Sequence, residues 1–510
     1  MRLKLLLLCL SSSLFAYNDN QLSSLYSGLD PNSITQHIAL YKLYPDQPVG
    51  QKALEHAQKL LNKCQGDKNT LVHLPLVDQS IDGFVSFMLG KSSNDDFLDE
   101  EYLDAIETLS SHLGNRSLAG YKAKSEQDVL ALDAQDIDLG RAILLAQQEE
   151  DVDWQWTRNY EAQLDFLALQ VLARLPEEPS ALEIIREINQ VLFFDSKYRF
   201  PNQYIQNEHH KFSQLSAVLD LKQGVCLGTT IVYLCLAQRL NLPLEIITPP
   251  GHIYARYNDG EKITNIETTH RGVHVPSDNY YSVNVKYLKQ VDLKETIGCV
   301  YLNLGTTHLM DFDYITAQKY YQKALQYQPN DALCTMMLGY SYAFNSEVKP
   351  AKKTFHELKN LSFEDQVSTL DLDAYKDYLR NKVDLETLKA AVLPPKEQNV
   401  EELKQRRQIL EQGVSKYPNF CAGWHMLSNI YIELSEPKKA IWALNKIHQI
   451  NPDIPAVEFN LSMLYNEELN TPAAWEHYKN CASILKEHNI ELKMMNDVKR
   501  MLQSSSIEPN

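Results

Sequence analysis

The sequence predicts an α+β protein, a mostly helical chain with one small antiparallel sheet and a C-terminal α-solenoid. Apolar residues recur three and four positions apart through most of the 510 residues, which is the period of an amphipathic helix. Alternating, β-branched segments cluster between residues 244 and 268. Beyond residue 296 a pattern of small and large apolar residues repeats, so that Gly305 and Gly339 occupy equivalent places 34 residues apart.

Length, composition and charge limit the classes of function. A chain of 510 residues predicts about two to four domains. Its content of 44% hydrophobic and 23% charged residues is typical of an ordinary globular protein. The formal net charge of −17, with no run of Lys and Arg, argues against nucleic acid or an anionic membrane as the main partner.

Residues 1–16 have the pattern of a secretory signal. A basic start at Met1–Lys4 precedes a short apolar run and then Ala16, after which the chain becomes polar. The run is too short to span a bilayer. We therefore expect cleavage after Ala16 and export to the periplasm or beyond, with a cytoplasmic protein that begins in an apolar helix as the alternative.

The cysteines and histidines do not indicate a disulfide framework or a metal site. Seven cysteines follow the signal, at Cys64, Cys226, Cys235, Cys299, Cys334, Cys421 and Cys481. They are scattered, odd in number and lack C-x-x-C spacing. His209 and His210 are adjacent, so they do not readily face one ligand. The expectation is no cofactor and no metal.

Helices are predicted in the N-terminal region and in the segment that follows it. Residues 34–43 and 50–61, and the helix entry at Asn94-Asp95-Asp96, predict a helical N-terminal region without recognisable chemistry. Residues 136–147, 160–174 and 180–192 predict three more amphipathic helices, followed by a polar loop.

The stretch from Gly224 to Gly272 contains the candidate catalytic residues. Cys226 ends a loop and begins a predicted helix that is apolar through Leu240. The unpaired N–H groups and the positive dipole end of a first helical turn favour a thiolate, which is the nucleophilic form of cysteine. Cys235, on the same helix, is predicted to be a core residue.

Two predicted strands provide the possible partners of Cys226. Pro249-Pro250-Gly251 forms a turn that places His252 at the head of a strand, and Asn258-Asp259-Gly260 predicts the hairpin to the next strand. Asn265 and Glu267 are two apart on that strand, so both face one side. Either one can orient the imidazole and leave its other nitrogen for the cysteine.

Each of these residues has an ordinary structural explanation as well. A cysteine in an apolar helix is usually a small hydrophobe, and a lone histidine or strand carboxylate is common for reasons of packing or solvation. The three together, in this order and in these elements, favour a triad-like site.

The ordered set resembles the transglutaminase-like branch of the papain-type cysteine enzymes, and most closely the bacterial SirB-type proteins. The resemblance covers roughly residues 136–272. Its supporting residues are Ala181–Phe194, Gly224-Val225-Cys226, Ala237–Leu242, Pro250-Gly251-His252 and Ile266-Glu267 before Gly272. It implies catalysis by Cys226 and His252 with a third residue that is usually Asp and is Glu267 here, with Asn265 as the alternative.

The 34-residue pattern resembles the tetratricopeptide repeat, a stacked helix pair. One pair of copies aligns Gly305, Ala317 and Tyr321 with Gly339, Ala351 and Phe355. A second pair aligns Ser428 with Ser462 and Ala440 with Ala474, again 34 residues apart. Residues 361–419 fit the pattern less well.

These predictions divide the chain into six segments. They are a signal peptide (1–16), a helical N-terminal region (17–115), a transglutaminase-like domain (116–295), repeats 1 and 2 (296–360), a degenerate helical repeat or linker (361–419), and repeats 3 and 4 with a last helix (420–510).

The resemblance implies acyl transfer on protein or peptide amides. Cys226 would attack the carbonyl and His252 would carry the proton, with the oxyanion held by the Cys226 N–H. Hydrolysis and transamidation both remain open. The repeats would bind a protein or peptide. The alternative from another class is an inactive scaffold whose repeats mediate protein–protein interaction.

Overall fold

The computed structural model describes residues 19–64, 80–89, 97–148, 152–201, 211–363, 365–366, 373–393 and 399–505. The predicted signal at residues 1–16 lies outside these ranges, as do Asn94-Asp95-Asp96 and the pair His209 and His210. Within them the fold is α+β, mostly helical with a four-stranded antiparallel sheet. The predicted fold class is confirmed.

The N-terminal region is helical and has a core of its own. Its helices are α1 (Asp19–Ser27), α2 (Ile34–Leu43), α3 (Pro48–Lys63), α4 (Ser80–Leu89) and α5 (Glu100–Leu109). Helix α2 has the predicted bounds and begins where the Ser33 side chain accepts a hydrogen bond from the Gln36 N–H at 3.3 Å. Phe84 packs between Tyr102 and Phe166, so this core extends onto the next domain.

The central domain is built around one buried helix. Its helices are α6 (Glu126–Ala131), α7 (Leu139–Ala146), α8 (Trp154–Arg174), α9 (Ala181–Asn189, continued by a π-helical turn at Gln190–Asp195), α10 (Leu215–Leu221) and α11 (Cys226–Arg239). In α11, every residue except Cys226 and Gln238 is buried. Helix α8 begins earlier than predicted because the Asp153 side chain caps it, accepting from the Trp156 N–H at 3.0 Å.

A buried ion pair anchors the far end of α11. Arg239 Nε lies 2.7 Å from Asp165 Oδ1, and both side chains are fully buried. The same carboxylate pairs with Arg116 and accepts a hydrogen bond from Ser110 Oγ at 2.8 Å. A buried charge is tolerated only with such partners, so Asp165 joins α8, α11 and the N-terminal region at one point.

The sheet lies against α11 and consists of four short strands. They are β1 (Glu245–Thr248), β2 (Tyr254–Asn258), β3 (Ile263–Ile266) and β4 (Lys289–Val291), in the order β3-β2-β1-β4 with all neighbours antiparallel. The predicted hairpin between β2 and β3 is confirmed, with Gly260 at φ +89°. Strand β4 was not predicted, and β2 begins at Tyr254 rather than at His252.

The repeats are helix pairs, and their glycines allow close packing. The pairs are α12 (Leu293–Met310) with α13 (Tyr314–Tyr327), α14 (Ala332–Phe344) with α15 (Val348–Glu357), α19 (Cys421–Glu433) with α20 (Pro437–Ile450), and α21 (Pro455–Glu467) with α22 (Thr471–Glu487). A Cβ on Gly305 would lie 2.7 Å from the Tyr321 ring, and one on Gly339 would lie 2.4 Å from the Phe355 ring. The aromatic ring of the second helix therefore occupies the space of the missing side chain.

Within the described residues, three α-helices lie between the two pairs of repeats and one follows them. They are α16 (Ala374–Leu379), α17 (Leu385–Val392), α18 (Val400–Lys416) and α23 (Lys493–Ser505). Helices α17 and α18 both pack against α19. Gly413 of α18 meets Thr387 of α17, where a Cβ would lie 2.3 Å from the Thr387 methyl carbon. This segment therefore continues the helical packing between the pairs.

The repeat region touches the central domain near both of its ends. In the first repeat, Tyr301 donates a hydrogen bond to Glu126 and Lys323 Nζ lies 2.9 Å from the same carboxylate. In the last repeat, Cys481 and Leu485 form a small apolar cluster with Val283 of the central domain. Among the described helices, none has the length and apolar character needed to cross a membrane.

We expect Gly339→Ala to destabilise the protein by about 1–3 kcal/mol, as overpacking of a core does. In an open helix this change would stabilise instead, but here the added Cβ would meet the fully buried Phe355 ring at 2.4 Å. Urea unfolding measures the difference. The control is Gly28→Ala, where a Cβ meets its nearest atom at an ordinary 3.5 Å. A Gly339→Ala protein as stable as the parent would contradict this account.

Candidate active site

Cys226 lies at the amino end of α11, and the buried remainder of the helix holds this end in place. It is the first helical residue after Val225, which is extended. A Cβ on Gly228 would lie 2.3 Å from the Phe212 carbonyl oxygen, so the segment that precedes α10 lies directly on the first turn of α11. Cys226 is partly exposed, whereas Cys235 on the same helix is buried. Burial raises the pKa of Cys235 to about 12.

His252 follows a tight turn between β1 and β2. Its backbone N–H donates to the Pro249 carbonyl at 2.9 Å. Gly251 has φ +71°, and a Cβ at this position would have no other atom within 4 Å. Gly251 is therefore needed for its backbone conformation rather than for space. The imidazole of His252 is 25% exposed, so the ring lies at the surface of the domain.

Glu267 follows the last residue of β3 and receives four hydrogen bonds. Its Oε2 accepts from His252 Nε2 at 2.7 Å and from the Tyr280 hydroxyl at 2.6 Å. Its Oε1 accepts from the Thr269 hydroxyl at 2.6 Å and from the Thr269 N–H at 3.1 Å. The side chain is 6% exposed. The carboxylate is therefore fixed in position and in contact with the imidazole.

Asn265 does not contact His252. Its amide donates to the Val275 carbonyl at 2.8 Å and to Ser277 Oγ at 3.1 Å, and its Oδ1 accepts from Arg256 Nε at 2.9 Å. Residues two apart on a strand are separated by about 6–7 Å, so one ring reaches only one of the two candidates. The structure places Glu267 at the histidine, and Asn265 holds the segment that leads to Tyr280.

His252 interacts with Glu267 and with Cys226. Its Nε2 bonds Glu267, which leaves Nδ1 as the free ring nitrogen, and the neighbouring Cys226 contributes to the raised pKa of the ring. Burial alone would lower the pKa of His252, but the bonds with Cys226 and Glu267 outweigh it and raise the pKa to about 9. These bonds therefore favour the imidazolium form at neutral pH.

The electrostatics of Glu267 complement those of the ring. Burial alone would raise its pKa, but the hydrogen bonds from His252, Thr269 and Tyr280 lower it to about 2. Burial and the bond to this carboxylate raise the pKa of Tyr280, so its hydroxyl stays a donor. The arrangement is a partly exposed sulfur beside an imidazolium that a buried carboxylate orients.

Tyr280 is a site residue that the sequence patterns did not predict. Besides its bond to Glu267, its ring lies parallel to His252 at 5.8 Å and to Tyr254 at 4.3 Å between centroids. It belongs to a short 3-10 turn, Ser277–Tyr280, beyond the strands that the pattern identified. Neither periodicity nor a motif marks it, because only the folded chain brings this turn over the histidine.

Comparison with protein families identifies the class of this domain. Residues 158–302 match the model of the Transglutaminase-like superfamily. The matched part includes Cys226, His252, Glu267 and Tyr280. This segment therefore resembles a transglutaminase-like domain. In the comparison with curated proteins, no protein matches.

Solved structures that resemble the chain include proteins of helical repeats. MamA 41-end from Desulfovibrio magneticus RS-1 is 15% identical and covers 37% of this chain and 96% of its own. TTC0263, a thermophilic TPR protein in Thermus thermophilus, is 19% identical, and the alignment covers 41% of this chain and 98% of TTC0263. YrrB, a TPR protein with an unusual peptide-binding site, is 16% identical, and the alignment covers 40% of this chain and 92% of YrrB. The TM-score is 0.20 for all three.

We expect Glu267→Gln to destabilise the protein most between pH 4.5 and 6.5. Glu267 contributes stability above its ordinary pKa of 4.5, and this is lost as pH falls through about 2. His252 contributes below its ordinary pKa of 6.5, and this is lost as pH rises through about 9. Allowing for screening by solvent, the loss is about 1–3 kcal/mol. Urea unfolding across pH measures it.

The control for this pH dependence is Glu245→Gln. Glu245 is a carboxylate of the same sheet that lies 3.8 Å from Arg256 and accepts a hydrogen bond from Asn258. The loss of stability in Glu245→Gln should show no maximum between pH 4.5 and 6.5. A loss in Glu267→Gln that does not change with pH would contradict the ion pair with His252.

We expect Tyr280→Phe to raise the pKa of Glu267 by about 1 unit, because a hydrogen bond to a charged group contributes roughly 1.5 kcal/mol. The ring and its stacking are retained. Titration of the Glu267 carboxyl carbon by NMR measures the shift. The control is Tyr254→Phe, which removes a hydroxyl of the same stack that is bonded to Arg256 instead. Equal shifts in both variants would show that Tyr280 does not position the carboxylate.

Proposed function

We propose that the protein is a cysteine acyltransferase of the transglutaminase-like type that acts on protein or peptide amides. The observation that carries the proposal is the His252 ring, which buried Glu267 holds through Nε2 and whose pKa the neighbouring Cys226 helps to raise. A nucleophile beside a base that a third residue orients is the arrangement that activates a cysteine. The likeness to SirB-type proteins is part of this proposal.

The reaction begins with attack of the Cys226 sulfur on the amide carbonyl. A bond forms between sulfur and carbon, and the proton of the thiol resides on His252. The N–H groups of the first turn of α11 have no partner within the helix, so the N–H of Cys226 is the proposed donor to the oxyanion. When the C–N bond breaks, His252 gives its proton to the leaving amine and a thioester remains.

A second nucleophile then releases the acyl group. Water gives a carboxylic acid and an amine gives a new amide, and in both cases the proton of the nucleophile passes to His252 as the thiolate leaves. Glu267 keeps the ring in one orientation through both halves of the reaction. Both outcomes, hydrolysis and transamidation, belong to the proposal.

The helical repeats are proposed to bind the protein or peptide that is modified. Stacked helix pairs offer an extended surface for a peptide or a helix and carry no chemistry of their own. Export is also proposed, and it rests on the pattern of residues 1–16 alone.

Among the described residues, the seven cysteines are free.

The proposal predicts that Cys226 reacts with iodoacetamide at mildly acidic pH much faster than Cys421, by roughly tenfold or more. Cys421 is the matched control within the chain, since it also begins a helix and is partly exposed. Burial and Asp377 raise the pKa of Cys421 to about 11. Mass spectrometry of tryptic peptides measures both rates in one sample.

The rate advantage of Cys226 should disappear in His252→Ala. Equal rates at Cys226 and Cys421 in the parent protein would contradict an activated thiol. In that event the scaffold alternative gains support, and it predicts in addition that Cys226→Ala leaves the cellular function of the protein intact.

A further inference from the structure

The last two repeats contain a cluster of three side chains that the proposed acyl transfer does not use. His448 belongs to α20, Glu458 to α21 and His477 to α22. His448 Nδ1 lies 2.6 Å from Glu458 Oε1, and His477 Nδ1 lies 2.8 Å from Glu458 Oε2. Two imidazoles from different helices therefore converge on one carboxylate.

The burial of Glu458 makes this arrangement unusual. Its side chain is fully buried, that of His477 is 7% exposed and that of His448 is 31% exposed. In the part of the chain that the structure describes, the ion pairs of Glu458 are with these two histidines. A buried carboxylate requires partners that compensate its charge.

We propose that His448, Glu458 and His477 bind a divalent transition metal ion of the zinc type. Their ligand atoms lie within 4.8 Å of one another, and two imidazoles with one carboxylate form a donor set that zinc accepts. Each ring would bind the ion through Nδ1 and carry its proton on Nε2. The ion would compensate the negative charge of the buried Glu458 carboxylate.

Neighbouring side chains hold the ligands in place, as the surroundings of metal ligands do. Asn480 Nδ2 donates to Glu458 Oε2 at 3.0 Å. The Tyr465 ring lies parallel to His477, with 5.5 Å between centroids and an angle of 6°. Asn445 donates to the Tyr465 hydroxyl at 3.0 Å. The carboxylate and the more buried ring are therefore both positioned.

The exposure of His448, at 31%, gives the ion a path from solvent. Because the three ligands belong to three successive helices, a bound ion would link the third repeat to the fourth. No pattern in the sequence indicates this site, since the ligands are separated by 10 and 19 residues and only the stacking of the helices brings them together.

The test is a titration of the full-length, chelator-treated protein with Co²⁺, followed by competition with Zn²⁺. We expect one equivalent to bind with the visible spectrum of a cobalt site of nitrogen and oxygen ligands, without a thiolate charge-transfer band. Affinity should fall by roughly 100-fold or more in His448→Gln and in His477→Gln. Saturating Zn²⁺ should raise the Tm of the parent protein and not that of His448→Gln.

Two control variants separate this site from others. Cys226→Ser should bind the ion unchanged, and loss of binding there would assign the ion to the candidate active site and overturn the proposal. His308→Gln removes a histidine of the first repeat that is paired with Asp313 at 3.2 Å. This variant should also bind the metal ion with unchanged affinity. His448 is partly exposed, so its variant is expected to fold, which circular dichroism checks.

The proposal does not depend on any variant folding. A parent protein that binds no equivalent of Co²⁺ or Zn²⁺ would show that Glu458 is only the acceptor of a hydrogen-bonded network. Because the readouts are metal affinity and Tm, they remain informative whether or not Cys226 proves to be reactive.

Discussion

The burial of helix α11 is the constraint on which the candidate site depends. A helix whose residues after Cys226 are almost all buried has one position and one rotation about its axis. The pair of Arg239 with Asp165, fully buried, anchors its far end. Cys226 is the first residue of this helix and is partly exposed, while Cys235 is enclosed.

The Glu267 carboxylate is the second fixed point of the site. It accepts hydrogen bonds from His252, Thr269 and Tyr280, so it connects the sheet to the turn that carries Tyr280. The chain continues from that turn to Val283, which packs against Cys481 of the last repeat. The site and the end of the repeat region are thus connected through one short segment.

The glycine contacts of the repeats follow the sequence period, whereas the histidine cluster does not. In the first two repeats, a glycine of one helix faces an aromatic ring of its partner, as Gly339 faces Phe355, and the 34-residue period of the sequence indicates this pairing. The histidine cluster at Glu458 does not follow the period, because its members occupy non-equivalent places in successive helices. Such a group arises from the stacking of repeats and not from the repeat itself.

Local patterns in the sequence determined the fold class, the helix pairs, the hairpin at Gly260 and the start of α11 at Cys226, because each depends on neighbours along the chain. They also limited the partner of His252 to Asn265 or Glu267. Only the tertiary structure decided for Glu267, placed Tyr280 over the ring, added strand β4 and assembled the cluster around Glu458. Those choices depend on distances between segments far apart in the chain, and periodicity contains no information about such distances.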